Sequence, residues 1–104
     1  MRVLTKVLFT AALGVALPLC AANAADTAAG KLVYETNCAN CHGPDGVPVL
    51  QGAPNFKKGE RMEKTDAQLL ATMATGLNIM PAWKGVISEA EMANSLAYAR
   101  TLRK

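Results

Sequence analysis

The sequence predicts an all-α domain in which long loops join three main helices. Two capping boxes each open a helix, the first pairing Thr65 with Gln68 and the second pairing Ser88 with Glu91. An earlier stretch beginning near Asp26 carries apolar and small residues at helical spacing. No strand–helix–strand pattern accompanies these signals, so a parallel sheet is not expected.

Residues 1–24 have the parts of a secretory signal peptide. Positive residues near the start precede an uncharged apolar run, and residues 22–24 form a small-x-small cleavage site. We therefore expect export to the periplasm and a mature domain over residues 25–104. A retained membrane anchor is the alternative, but the apolar run is shorter than the ~20 residues of a spanning helix. Acylation of Cys20 as a lipoprotein is disfavoured because Leu19 before it is bulky.

The first mature helix is predicted over about 27–40, with Asp26 or Thr27 as its cap. Glycine is costly inside a helix, so Gly30 indicates the close approach of another helix. Fraying near the N-terminus is the alternative. Tyr34 lies four residues further on, on the same face, and is expected to share that contact.

This helix leads into the sequence C-x-x-C-H at residues 38–42. One helical turn can present the sulfurs of Cys38 and Cys41 to one porphyrin edge, where each can form a thioether with a haem vinyl group. His42 follows directly and can bind the iron as proximal ligand. The motif predicts one covalently bound haem c per chain.

A C-x-x-C pair also occurs in thiol redox centres, zinc sites and structural disulfides. A zinc site needs more ligands, yet the only other cysteine is Cys20 and the only histidine is His42. A thiol redox pair is expected to follow a strand in a strand–helix–strand unit. The haem interpretation is therefore favoured over all three.

A long irregular segment over residues 43–64 follows the motif and is rich in glycine and proline. Such a segment is unusual in a small domain unless it has a function, and wrapping a haem edge is one. The Pro54 carbonyl can accept the N–H of His42 and so orient that ligand. An ordinary turn with Phe56 in the core is the alternative. Further along, Trp83 is expected to cover a haem edge, with its indole N–H near a propionate.

The other two helices are predicted over about 66–75, with Gly76 ending the first of them, and from Ser88 to about Arg103. The small Ala99 and the ring of Tyr98 suit a crossing against the first helix.

The sixth iron ligand must be a methionine or a lysine, or the site stays open, because no second histidine exists. Met73 and Met92 fall in predicted helices, where methionine packs by default, and Met62 lies among charged residues. Met80 lies in a loop before Pro81 and is the predicted ligand, with apolar packing as its alternative. A thioether favours ferrous iron and raises the reduction potential.

Charge gives no support for a nucleic-acid partner. The chain has 11 basic and 8 acidic side chains. Loss of Arg2 and Lys6 with the signal peptide leaves nine against eight, a net charge of +1, and two ionised propionates would bring this to about −1. The dibasic pairs at 57–58 and 103–104 are small and are interpreted as solvated surface.

Taken in order, these features resemble the class I c-type cytochromes over nearly all of the mature chain. The matching positions are Gly30, Tyr34, the motif at 38–42, Met80 and Tyr98. The segment Ala53-Pro54-Asn55-Phe56 is similar to the family's Gly-Pro-Asn-Leu, with alanine in place of glycine. The resemblance implies the cytochrome c fold, in which three main helices and long loops wrap one haem.

The predicted function is that of a periplasmic one-electron carrier between redox partner proteins, with His42 and Met80 as axial ligands and no enzymatic activity. We expect a monomer with no permanent membrane anchor. One alternative is a haem subunit or maturation partner of a larger periplasmic enzyme, such as a dehydrogenase or nitrite reductase system. Another is an open-site haem enzyme or sensor, which the lack of a distal histidine disfavours.

Overall fold

The computed structural model of the chain describes Gly14 and residues 24–104. The predicted signal peptide, apart from Gly14 and Ala24, lies outside the described residues, as does Cys20. The helical elements follow in chain order: α1, Thr27–Val33; a π-helical turn, Tyr34–Cys38; α2, Ala39–His42; α3, Asp66–Thr75; and α4, Glu89–Thr101. The only extended pairings among the described residues are two isolated bridges, and the predicted all-α architecture is confirmed.

Helices α1 and α4 cross at a glycine. An ideal Cβ built on Gly30 would lie 1.8 Å from the carbonyl oxygen of Asn94, so a side chain there would collide with the α4 backbone. The N–H of Asp26 also donates to Asn94 Oδ1 at 2.8 Å. The close approach predicted for Gly30 is confirmed, although its partner is the turn at Asn94 and not Ala99.

Two tyrosine rings complete this crossing. The rings of Tyr34 and Tyr98 meet edge to face with their centroids 5.2 Å apart. Tyr34 is 1% exposed, and the α4 residues Met92, Leu96 and Ala99 are the other buried apolar residues of the described chain. This core is small, and a set of half-buried apolar side chains lies around a cleft.

The first helix is not the continuous α-helix that the sequence predicted over 27–40. A π-helical turn interrupts it, and the N–H of Ala39 reaches back five residues to the carbonyl of Tyr34. The side chains of Thr36 and Asn37 bond the carbonyls four residues before them, at 2.8 and 3.0 Å. These side-chain bonds accompany the wider turn, in which the backbone hydrogen bond spans five residues.

Both predicted capping boxes are present. Thr65 and Gln68 bond each other's backbone N–H groups at 3.2 and 3.0 Å. The pair of Ser88 and Glu91 repeats this arrangement with two distances of 3.0 Å. Helix α3 ends before Gly76, whose φ of +79° suits glycine.

Arg100 joins α4 to the loop before α3. Its guanidinium donates to the carbonyls of Met62 and Lys64, each at 2.9 Å, and to Asp66 Oδ1 at 2.9 Å. These partners lie 34 to 38 residues away, so local sequence patterns gave no sign of the contact. In the part of the chain that the structure describes, no helix is both long and apolar enough to cross a membrane.

Candidate functional site

One apolar cleft brings together every site residue named from the sequence. These residues are Cys38, Cys41, His42, Pro54, Met80 and Trp83. They come from α2, from the turn before it, and from two loops that are separated by α3. The cleft is therefore a product of tertiary folding around the motif.

The π-helical turn sets how the motif faces this cleft. In a continuous α-helix, His42 would point about 120° away from Gly30. A π-helical turn holds one extra residue, which rotates everything after it by about 100°. On this ideal geometry His42 falls on the side of the helix that carries Tyr34, and both residues line the cleft.

His42 is held between two groups of the following loop. Its Nδ1 lies 3.5 Å from the carbonyl oxygen of Pro54, which is longer than an ordinary N–H···O bond. Its ring stacks on Phe56, with centroids 4.3 Å apart and planes 15° from parallel. Burial lowers the pKa of His42, although the Pro54 carbonyl acts in the opposite direction. The neutral imidazole, which is the form that binds metals, is favoured.

The two motif cysteines are free thiols that are half-buried. Burial, and then the neighbouring Cys41, raises the pKa of the Cys38 thiol to about 11. Cysteines that exchange disulfides have lowered pKa values and react as thiolates. The environment of Cys38 therefore disfavours the thiol redox interpretation. No group of three or more histidine, cysteine, aspartate or glutamate side chains that could hold a metal ion occurs among the described residues.

The loop that carries Met80 folds back on itself. Leu77 and Met80 exchange backbone hydrogen bonds of 3.1 and 2.9 Å, and Asn78 between them has a φ of +53°. An ideal Cβ on Gly76 would lie 2.7 Å from the carbonyl oxygen of Met80, so the loop packs directly on the end of α3. This arrangement fixes the backbone from which the Met80 side chain reaches the cleft.

Three methionines line the cleft, namely Met62, Met73 and Met80. The sulfur of Met62 lies 3.8 Å from Nη1 of Arg100, so that side chain is already engaged. Met73 belongs to α3, and its carbonyl accepts the N–H of Trp83 at 2.9 Å. Met92 is buried in α4 and does not line the cleft.

Two contacts of this site were missed from the sequence. The sequence predicts for Phe56 no role beyond core packing, yet its ring stacks on His42. The hydroxyl of Tyr34 donates to the carbonyl of Gly43 at 2.6 Å, immediately after the motif. A signal was available for Phe56, since it lies two residues after Pro54. None was available for the hydroxyl, because a phenylalanine would fit the same helix face.

The residues of the cleft fit a haem. Two thiols lie on one helical turn beside a histidine whose pKa burial lowers, and a thioether side chain lines the same space. Apolar side chains, including Leu50, Leu69 and Leu96, supply most of the wall. A large flat apolar ring with one histidine ligand and two sulfur attachments matches this donor set.

Comparison with known proteins identifies the family of the chain. Residues 25–98 match the family model described as cytochrome C oxidase, cbb3-type, subunit III. A cytochrome c6 of Synechococcus sp. is 37% identical over 78 residues, covering 72% of this chain and 69% of the relative. The chain belongs to the class I c-type cytochromes. It therefore has the cytochrome c fold predicted from its sequence, and the family binds haem c.

Solved structures of cytochromes have the same fold. The c-type cytochrome KustC0563 superposes with a TM-score of 0.66 at 25% identity, covering 72% of this cytochrome and 98% of that chain. Cytochrome c6 of the diatom Phaeodactylum tricornutum gives a TM-score of 0.61 at 31% identity, covering 73% and 92%.

A longer relative is the cbb3-type cytochrome c oxidase subunit CcoP of Azospirillum sp. It is 34% identical over 90 residues, which cover 79% of this cytochrome but only 30% of the relative. This cytochrome thus matches less than a third of that subunit.

Proposed function

We propose that this cytochrome is a periplasmic monohaem one-electron carrier with His/Met axial ligation. Cys38 and Cys41 would attach the haem covalently, and His42 and Met80 would bind the iron from its two sides. The observation that carries this proposal is the cleft that brings together the motif, on a helical stretch, and Met80, on a loop far from it in sequence. The bound haem supplies an iron atom that alternates between the ferric and ferrous states.

The residues of the cleft would favour electron transfer over bond chemistry. The neutral form of His42, which burial favours, leaves a nitrogen lone pair for the metal. The Pro54 carbonyl and the Phe56 ring limit how far the imidazole can turn. With His42 and Met80 both holding the iron, no ligand position would be left for a substrate.

Export and cleavage after residue 24 complete the proposal. The family match begins at residue 25, the predicted first residue of the mature domain. Partners would be other redox proteins, with this cytochrome acting as a monomer without a permanent membrane anchor. Mass measurement of the exported holoprotein tests the cleavage site and the presence of one haem per chain together.

The visible spectrum of the protein, expressed as precursor with a c-type maturation system, tests the ligation. Sharp ferrous bands with the weak far-red sulfur-to-ferric-iron band are the expected result. A high-spin spectrum without that band would favour the open-site haem enzyme or sensor. A chain that carries no haem after competent maturation would return the motif to thiol chemistry.

A second candidate function is that of a haem subunit within a larger redox complex. The matching family model and the CcoP relative favour it, since both are described as parts of an oxidase. The two candidates share the same site and differ in their assembly. Native-mass measurement of the cytochrome purified at low salt from its own periplasm separates them, because a carrier is recovered free and a subunit is recovered with its complex.

A further inference from the structure

The hydroxyl of Tyr34 makes a buried bond across the haem-binding motif. Tyr34 is 1% exposed, and its hydroxyl donates to the carbonyl of Gly43 at 2.6 Å. Tyr34 opens the π-helical turn, and Gly43 is the first residue after His42. The bond therefore closes the whole stretch of chain that carries both cysteines and the histidine.

Gly43 holds the other end of this bond in a fixed place. Its N–H donates to the carbonyl of Ala39 at 2.9 Å, which caps α2. Its φ is +81°, and an ideal Cβ would lie 1.8 Å from the carbonyl oxygen of Val47. Only glycine fits this position, and its carbonyl has little freedom to move away from Tyr34.

The hydroxyl itself is not needed for packing. The Tyr34 ring already fills the crossing of α1 and α4 against Tyr98, and a phenylalanine ring would occupy the same space. Burial raises the pKa of Tyr34 well above its usual range, with nearby Cys38 adding to the effect. The hydroxyl thus stays protonated and can act as a donor at every physiological pH.

We propose that the Tyr34 hydroxyl is a positioning group for His42, acting through the Gly43 carbonyl. The inference rests on the proposed function in that His42 must be an iron ligand. The hydroxyl fixes the backbone on the C-terminal side of His42, and the π-helical turn fixes it on the N-terminal side. With both sides fixed, the imidazole reaches the cleft with one orientation, and the interaction of that ligand with the iron depends on the bond.

Tyr34→Phe in the holoprotein tests the proposal, with Tyr98→Phe as the matched control. Both variants delete one hydroxyl from the same pair of rings, but among the described residues only the Tyr34 hydroxyl donates to Gly43. We expect Tyr34→Phe to shift the hyperfine-shifted proton resonances of the His42 ring in the ferric state and to change the midpoint potential. Tyr98→Phe should leave both at their wild-type values.

A different pattern would overturn the proposal. If Tyr34→Phe lowers the unfolding midpoint but leaves the His42 resonances and the potential unchanged, the hydroxyl is only a structural group. Equal shifts in the two variants would assign the effect to the ring pair and contradict the proposal as well.

A second measurement covers the case in which Tyr34→Phe yields no holoprotein. The chain has two tyrosines, so Tyr34 is the only one left in the Tyr98→Phe variant. Growth of that variant on 3-fluorotyrosine makes the Tyr34 phenol a more acidic, stronger donor while the ring is retained. The His42 resonances should then move, and unchanged resonances would refute the positioning role. Failure of the proposed function would be seen separately, because the spectrum of the wild-type protein would then show no histidine ligation.

Discussion

His42 is held by contacts that lie before it in the chain, after it and across its ring. The π-helical turn lies before it, Gly43 is tied to Tyr34 after it, and Pro54 with Phe56 lies across its ring. A freely rotating imidazole would lose conformational entropy on binding a metal. Here the side chain loses much of that freedom already when the chain folds. As the proposed iron ligand, a histidine held in this way would move little between two iron oxidation states, which would suit rapid one-electron transfer.

Whether Met80 is the sixth iron ligand depends on one atom, the sulfur of its side chain. Met80→Leu preserves size and apolar character but removes the sulfur. We expect the variant to keep its covalent haem, to lose the far-red sulfur-to-iron band and to bind CO rapidly in the ferrous state. Absorption spectra and CO-binding kinetics of the purified holoprotein measure these changes.

Met73→Leu and Met62→Leu are matched controls for Met80→Leu, because both methionines line the same cleft. Each control should retain the far-red band and the slow CO reaction. Loss of the band in either control, with Met80→Leu unchanged, would move the ligand to that methionine.

Helix packing depends on backbone contact as much as on side chains. At the crossing of α1 and α4, the absence of a side chain on Gly30 lets the backbone reach the carbonyl of Asn94. The Tyr34 and Tyr98 rings then meet one turn further along. The crossing therefore holds in place the helical stretch that leads into the motif. It thereby helps to set where the motif residues lie in the cleft.

Gly30→Ala tests this crossing, because the two expectations for the change in unfolding free energy have opposite signs. Helix propensity alone would make alanine stabilising by up to about 1 kcal/mol. Because the added Cβ would collide with the backbone of α4, we expect destabilisation of about 1–3 kcal/mol instead. Chemical denaturation of the holoprotein measures this change in unfolding free energy. A variant more stable than the wild type would show that the two helices do not approach as closely as described. The exposed Ala28→Gly supplies the propensity baseline within α1.

Arg100 has the same connecting role between α4 and the loop before α3. In Arg100→Lys the charge is retained, but an ammonium group cannot reach two carbonyls and a carboxylate with the geometry of a guanidinium. We expect a loss of about 2 kcal/mol in unfolding free energy, since hydrogen bonds from a charged donor are lost. The exposed Arg103→Lys is the control and should change stability by less than about 0.5 kcal/mol. Equal stability of the two variants would mean that Arg100 does not hold the loop.

At the scale of the whole molecule, the cleft occupies the place where a larger core would lie. The buried apolar residues among those described are Tyr34, Met92, Leu96 and Ala99. So small a core stabilises a domain of this size only modestly. Apolar side chains from the π-helical turn, α3 and α4 instead line the cleft, so a bound haem would complete the core.

Cys38→Ala combined with Cys41→Ala tests whether the haem completes the fold. We expect no covalent haem, as shown by loss of haem staining on a denaturing gel, and loss of fixed tertiary packing, as shown by near-ultraviolet circular dichroism. Cys20→Ala is the control and should carry normal haem, because Cys20 lies in the predicted signal peptide. A double variant with native near-ultraviolet signals and no haem would show that the protein core suffices.

The features that the sequence by itself determined are those that depend on neighbours a few residues apart. The capping boxes at Thr65 and Ser88 and the helix end before Gly76 were predicted and are present. Each is set by hydrogen bonds within one turn of chain, so the local residue types are sufficient. The C-x-x-C-H motif is likewise defined by neighbouring residues, and it carried the resemblance to the family.

Tertiary structure alone decided how these local elements serve one site. The stacking of Phe56 on His42, the contacts of Arg100 and the selection of Met62, Met73 and Met80 as the cleft methionines all join distant parts of the chain. The π-helical turn was also missed, because a sequence of helical period does not show where one extra residue enters a turn. Such features follow from the sum of many weak contacts between distant residues, and that sum becomes definite only when the chain is packed.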